Sequence, residues 1–148
     1  MGACLDEREI RGNRTIGVTV LLLRAIFEMF GCATLEHPLT SGIWRLDCIH
    51  ALLSFIGIEK VRIDQCMFGL RPGDNFRARY KKPTGILNIG SRAFQSILCD
   101  GKHEHTQILS SYSIVQNGRK VSVRRSQEAG SYPPRLCKCL GTHHACAL

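Results

Sequence analysis

The sequence lacks a hydrophobic run long enough to span a bilayer. Its longest apolar stretch, Ile16 to Phe30, is too short and is interrupted by Arg24 and Glu28. It also lacks an apolar segment within the charged stretch Met1 to Arg14, so no signal peptide is visible. Gly2 is followed by Asp6 where a myristoylation signal needs Ser or Thr. The expectation is an intracellular chain, cytoplasmic or nuclear, with no membrane partner. There is no Walker loop and no glycine-rich dinucleotide fingerprint. Ser41 has no nucleophile-elbow context, which leaves hydrolase chemistry unsupported. The common C-x2-C metal spacing is absent, although there are eight cysteines. Without secretion those cysteines point to metal binding or burial before disulfides.

What is present is one domain's worth of chain, 148 residues with ordinary globular composition: 44% hydrophobic and 22% charged. The net charge of +8 is unevenly spread. Residues 1–59 carry five basic and seven acidic side chains, whereas residues 60–148 carry fifteen and five. A polyanion partner is therefore sought in the second half.

Ile16, Val20, Leu23, Phe27 and Phe30 recur at helical spacing and predict an amphipathic helix closed by Gly31. Cys32 to Leu35 reads as a buried strand, with Glu36-His37-Pro38 as the loop at its end. A second helix is expected from Ser41 as N-cap to Gly57. Val61 to Asp64 and Gly85 to Ile89 read as strands, and Ser91 to Cys99 as a third helix. This alternation predicts an α/β fold over residues 12–105. Its sheet would be short, three-stranded and mostly parallel, with crossover helices, like a truncated Rossmann unit. Residues 106–148 are expected to form an irregular basic extension, apart from a small hairpin around Asn117-Gly118.

Several constellations could carry chemistry. Cys99, His103 and His105 lie within seven residues, and Cys66 at the end of a strand could complete a tetrahedral zinc set. The alternative is a buried Cys99 beside two solvated histidines. The tail holds Cys137, Cys139, His143, His144 and Cys146, enough ligands for a site of its own, yet it reads as a frayed terminus. The run Arg77, Arg79, Tyr80, Lys81, Lys82 could neutralise phosphates while Tyr80 stacks on a base; the alternative is a solvated loop. Glu36 near a strand end could act as a general acid or hold a substrate edge.

The strings Leu35-Glu36-His37-Pro38-x-Thr40-Ser41-x-x-Trp44, Asp64-Gln65-Cys66-Met67-Phe68-Gly69, Lys81-Lys82-Pro83-Thr84-Gly85 and Cys99-x-Gly101-x-His103-x-His105 resemble a segment of retroelement (Copia-like) polyproteins. Ala129 to Cys137 resembles the end of that segment, so the likeness covers roughly residues 12–137. It implies a non-catalytic fragment whose partner is the remainder of a polyprotein. A more distant likeness is to the C-terminal half of cytosine-5 DNA methyltransferase domains. There Glu36-His37-Pro38 resembles the E-N-V motif and Arg77-x-Arg79 the Q-x-R-x-R motif. That resemblance implies catalytic roles for Glu36, Arg77 and Arg79. The nucleophile motif and the cofactor loop are absent, so an enzyme of this kind would be inert. A third expectation is a remnant open reading frame with no activity.

Overall fold

Asp6 starts the first helix, α1 (Glu7–Glu28), through a reciprocal capping box with Glu9. The computed structural model describes residues 6–90 and 95–145, with the backbone alone for 143–145. Along α1, Ile16, Val20, Leu23 and Phe27 meet the core as their spacing predicts. Phe30 departs from that stripe: its φ is +55° and its side chain is 97% exposed, because the helix has already ended at Glu28. No helix among the described residues is long and apolar enough to cross a membrane.

The next elements are strand β1 (Ala33–Pro38), helix α2 (Asp47–Leu53) and strand β2 (Ile58–Asp64). Strand β1 runs on through Glu36-His37-Pro38, where a loop was expected; Pro38 is tolerated because β1 is an edge strand. Ser41 caps a short 3-10 turn (Gly42–Arg45) ahead of α2. The short strand β3 (Arg79–Tyr80) precedes β4 (Pro83–Ile89).

The main sheet has the order β1-β4-β2, and both pairings are antiparallel. This overturns the mostly parallel, Rossmann-like expectation. The crossover through α2 does leave β1 and β2 running the same way. They do not pair with each other, because β4 enters between them in the opposite direction. Thr84 to Ile89 of β4 are buried on both faces, as a central strand requires. Gly85 lets the Trp44 indole lie on the strand: a Cβ there would meet Trp44 Cζ2 at 2.7 Å.

Both faces of the sheet are covered. On one, α1, the 3-10 turn and α2 bury Leu23, Trp44, Ile49 and Leu52 against Ile58, Leu87 and Ile89. On the other, Ile63, Phe68 and Ile86 pack around Leu136. Leu136 belongs to helix α4 (Pro134–Ala145), inside the region expected to be irregular. Its stripe of Leu136, Cys139 and Leu140 has helical spacing, and Pro134 sits at the first turn, where proline is favoured.

The same region holds the short strand β5 (His105–Thr106), the hairpin β6 (Ser111–Gln116) and β7 (Arg119–Arg124), and the helical turn α3 (Arg125–Glu128). The Asn117-Gly118 turn takes positive φ at both residues, as the sequence predicts for a two-residue hairpin. The third helix expected at Ser91 to Cys99 is not there in its described part. Residues 91–94 lie outside the described residues, and residues 95–99 are not helical. Ile97 instead bridges Ile63 in parallel at the end of β2. Its main chain bonds Arg62 and Asp64, which satisfies an edge that a helix would leave open.

Candidate metal centre

Two stretches of chain distant in sequence build the site. The first is the 3-10 turn Gln65–Phe68, which follows β2 directly and carries Cys66 fully buried. Gly69 ends the turn in the left-handed region, φ +86°. The second is the loop from Cys99 to His105. Asp64, 1% exposed, fastens it: its Oδ2 accepts the Cys99 N–H at 2.9 Å while Arg62 donates to the same carboxyl group. The other end of the loop is pinned by a parallel pairing of β3 with β5, which sets His105 opposite Arg79. The Arg79 N–H donates to Glu104 O, and the Arg79 guanidinium donates to Cys66 O at 2.9 Å. Arg79 thus ties both stretches together.

Cys66, Cys99, His103 and His105 are thereby gathered so that their ligand atoms all lie within 4.8 Å of one another. Cys99 Sγ is 3.6 Å from His103 Nε2 and 3.5 Å from His105 Nε2. A tetrahedral zinc with Zn–S of ~2.3 Å and Zn–N of ~2.0–2.1 Å has an S···N edge of about 3.5 Å. The group could hold a metal ion. Cys66 is buried, Cys99 and His103 are half-buried, and His105 is exposed.

The surroundings fit the same chemistry. Gly101, at φ +71°, turns the chain so that its N–H donates to Cys99 Sγ at 3.4 Å. Asp100 Oδ1 lies 3.5 Å from His103 Nδ1, which leaves Nε2 facing Cys99 Sγ. The Lys102 N–H holds the Asp100 carboxyl below the usual carboxylate range. Burial, then Arg79 and His105, lowers the His103 pKa and favours the neutral imidazole, the form that ligates. Without a cation the Cys66 thiol is pushed up to about 12, first by burial and then by Cys99 and Asp64. A buried thiolate here lacks a counter-charge, which a divalent ion would supply.

The sequence singled out the four candidate ligands but missed their supports. Asp64, Asp100 and Gly101 were legible only as an acid at a strand end, an acid three residues before a histidine, and a glycine two residues after a cysteine. Of the tail candidates, the two whose side chains are described, Cys137 and Cys139, are not brought together. Cys137 is exposed while Cys139 turns to the second core, because adjacent odd positions on a helix face apart. Nothing is described of the side chains of His143 and His144, and Cys146 lies outside the described residues.

The basic run is split. Arg77 and Lys81 are exposed. Lys82 donates to Ala129 O and lies 5.3 Å from the Tyr132 ring. Tyr80 is fully buried and offers no ring face to a base; its OH donates to Glu128 Oε2 at 2.5 Å. Glu36 sits within β1, opposite Ile86, rather than at a strand end. It accepts from the Tyr132 OH and from Gln65 Nε2. Burial and Glu36 together push the Tyr132 pKa up to about 12, so its OH stays a donor. Among the described residues neither Arg77 nor Arg79 is a partner of Glu36.

Comparison with protein-family models, with curated proteins and with solved structures found no match.

Proposed function

We propose that the chain is a non-catalytic, zinc-stabilised α/β module that associates with nucleic acid. The observation that carries this reading is the convergence of Cys66, Cys99, His103 and His105, drawn from separate parts of the chain. Two thiolates and two imidazoles suit zinc better than calcium or magnesium, which prefer oxygen ligands. Four protein ligands close a tetrahedral shell. No position remains for an activated water, so the metal acts as a staple between the turn after β2 and the Cys99–His105 loop. The nucleic-acid reading rests on the excess of cations in residues 60–148, with Arg77 and Lys81 exposed.

The sequence likeness supports an origin in a retroelement-type polyprotein. Leu21, Leu22 and Phe30, exposed on and just after α1, are consistent with further polyprotein surface packing there. Elemental analysis of the purified chain tests the metal: one zinc per chain is expected, lost in Cys66→Ser. Titration with a single-stranded oligonucleotide tests the rest. Log affinity should fall linearly with log salt, and salt-independent or absent binding would remove nucleic acid from the reading.

A further inference from the structure

Beside the turn that carries Cys66 lies a cleft of about 340 Å³, walled by Met67, Phe68, Arg71, Arg79, Pro134 and Arg135. We propose that it binds a phosphorylated ligand of nucleotide size, with the arginines taking the phosphate.

Three guanidinium-bearing side chains share this cleft, and none of the three forms an ion pair with a carboxylate among the described residues. Arg79 donates to Cys66 O at 2.9 Å and Arg71 donates to Phe76 O at 3.5 Å, so both bond a neutral carbonyl and keep their charge uncompensated. Like charges gathered without a counter-ion repel one another, and a bound anion reverses the sign of that interaction. Planar guanidinium groups match the oxygens of phosphate in paired hydrogen bonds. The first turn of α4 also borders the cleft, and its partial positive charge acts in the same direction.

The rest of the wall is apolar: Met67, Phe68 and Pro134. The space exceeds what a lone phosphate fills and falls in the size class of small-ligand pockets. A sugar and base can lie along that wall while the phosphate meets the arginines. The assignment deepens the nucleic-acid reading and rests on it for choosing a nucleotide over other phosphorylated small molecules. It asks nothing of the metal beyond the position of Arg79.

The test uses the full, metal-loaded chain and three probes: inorganic phosphate, adenosine monophosphate and adenosine. Adenosine monophosphate should bind at least about tenfold more tightly than adenosine, and inorganic phosphate should compete with it. Arg71→Gln and Arg135→Gln, made singly and together, should weaken adenosine monophosphate by about tenfold or more while metal content stays at the wild-type level. Both side chains are exposed, so the single variants keep the test open if the double variant fails to fold. Equal binding of adenosine and its monophosphate, or unchanged affinity in the folded variants, would overturn the proposal. Failure is separable from that of the broader reading. A chain that binds an oligonucleotide with the expected salt slope but ignores all three probes refutes the pocket alone.

Discussion

Two regions of this chain carry cysteine and histidine, four of them within residues 66–105 and five within residues 137–146, and the described side chains of the two are arranged in opposite ways. Cys66, Cys99, His103 and His105 span forty residues of sequence and meet within 4.8 Å. Cys137 and Cys139 are two residues apart, and α4 turns one to solvent and the other to the core. Ligand density along a chain is therefore a poor guide to ligand geometry. Three-dimensional convergence needs an anchor for each stretch, and the first region has them in Asp64, Arg79 and Gly101. Among its described residues the second presents Cys137 and Cys139 from a helix, whose periodicity separates neighbours two residues apart.

The largest effect should come from removing the metal. With zinc held at about a thousandfold above its dissociation constant, binding contributes roughly 4 kcal/mol of stability. A chelator should then lower the melting temperature by about 10 °C in a chain of this size, read by calorimetry or circular dichroism. Cys66→Ser and Cys99→Ser should reproduce the loss and abolish the response to chelator. Cys137→Ser should leave both unchanged within about 0.5 kcal/mol, as expected of an exposed position. If Cys137→Ser behaved like Cys66→Ser, the contrast between the two regions would be broken.

Next in size is Leu136→Ala. Leu136 is fully buried among Ile63, Phe68 and Ile86, so its truncation should cost about 2–5 kcal/mol in denaturant unfolding. That result would give α4 a packing role in place of a ligand role. A cost near zero would instead mark it as a loosely held tail. Asp100→Asn should weaken metal affinity by about 10–100-fold in a competition titration, because it removes the partner that orients His103.

The smallest effect concerns acid stability. Arg125 donates to both oxygens of Asp74, at 2.7 and 2.5 Å, and its hydrogen bonds hold the Asp74 carboxyl below the ordinary 3.8. A depressed carboxyl contributes stability that is present above its unfolded value and lost as pH falls through its folded value. Asp74→Asn should therefore flatten the loss of stability below about pH 4, measured in acid titrations of the metal-free protein.

The four ligands were legible in the sequence because one short loop supplies three of them and a strand end supplies the fourth. The direction of the sheet was not. Alternating helix and strand specifies that β1 and β2 run the same way, but not that β4 comes between them. That follows from burial of β4 on both faces, a tertiary fact. The helix expected over Ser91 to Cys99 gave way, in its described part, because main-chain bonds from Ile97 to β2 outweigh a weak local pattern. The Leu136, Cys139, Leu140 stripe was readable, yet the surrounding cysteines and histidines drew attention to metal chemistry instead. Tyr80 sits in a basic run that resembles a nucleic-acid platform. It is buried with Leu70 and Ala129 and its hydroxyl bonds Glu128, partners distant in sequence that no local pattern reveals.

X-ray absorption at the zinc edge of the purified, metal-loaded chain tests the centre most directly. A Cys66/Cys99/His103/His105 site predicts two sulfurs at ~2.3 Å and two nitrogens at ~2.0–2.1 Å, collapsing in Cys99→Ser. A shell of nitrogen and oxygen alone, or the same spectrum in Cys99→Ser, would contradict it.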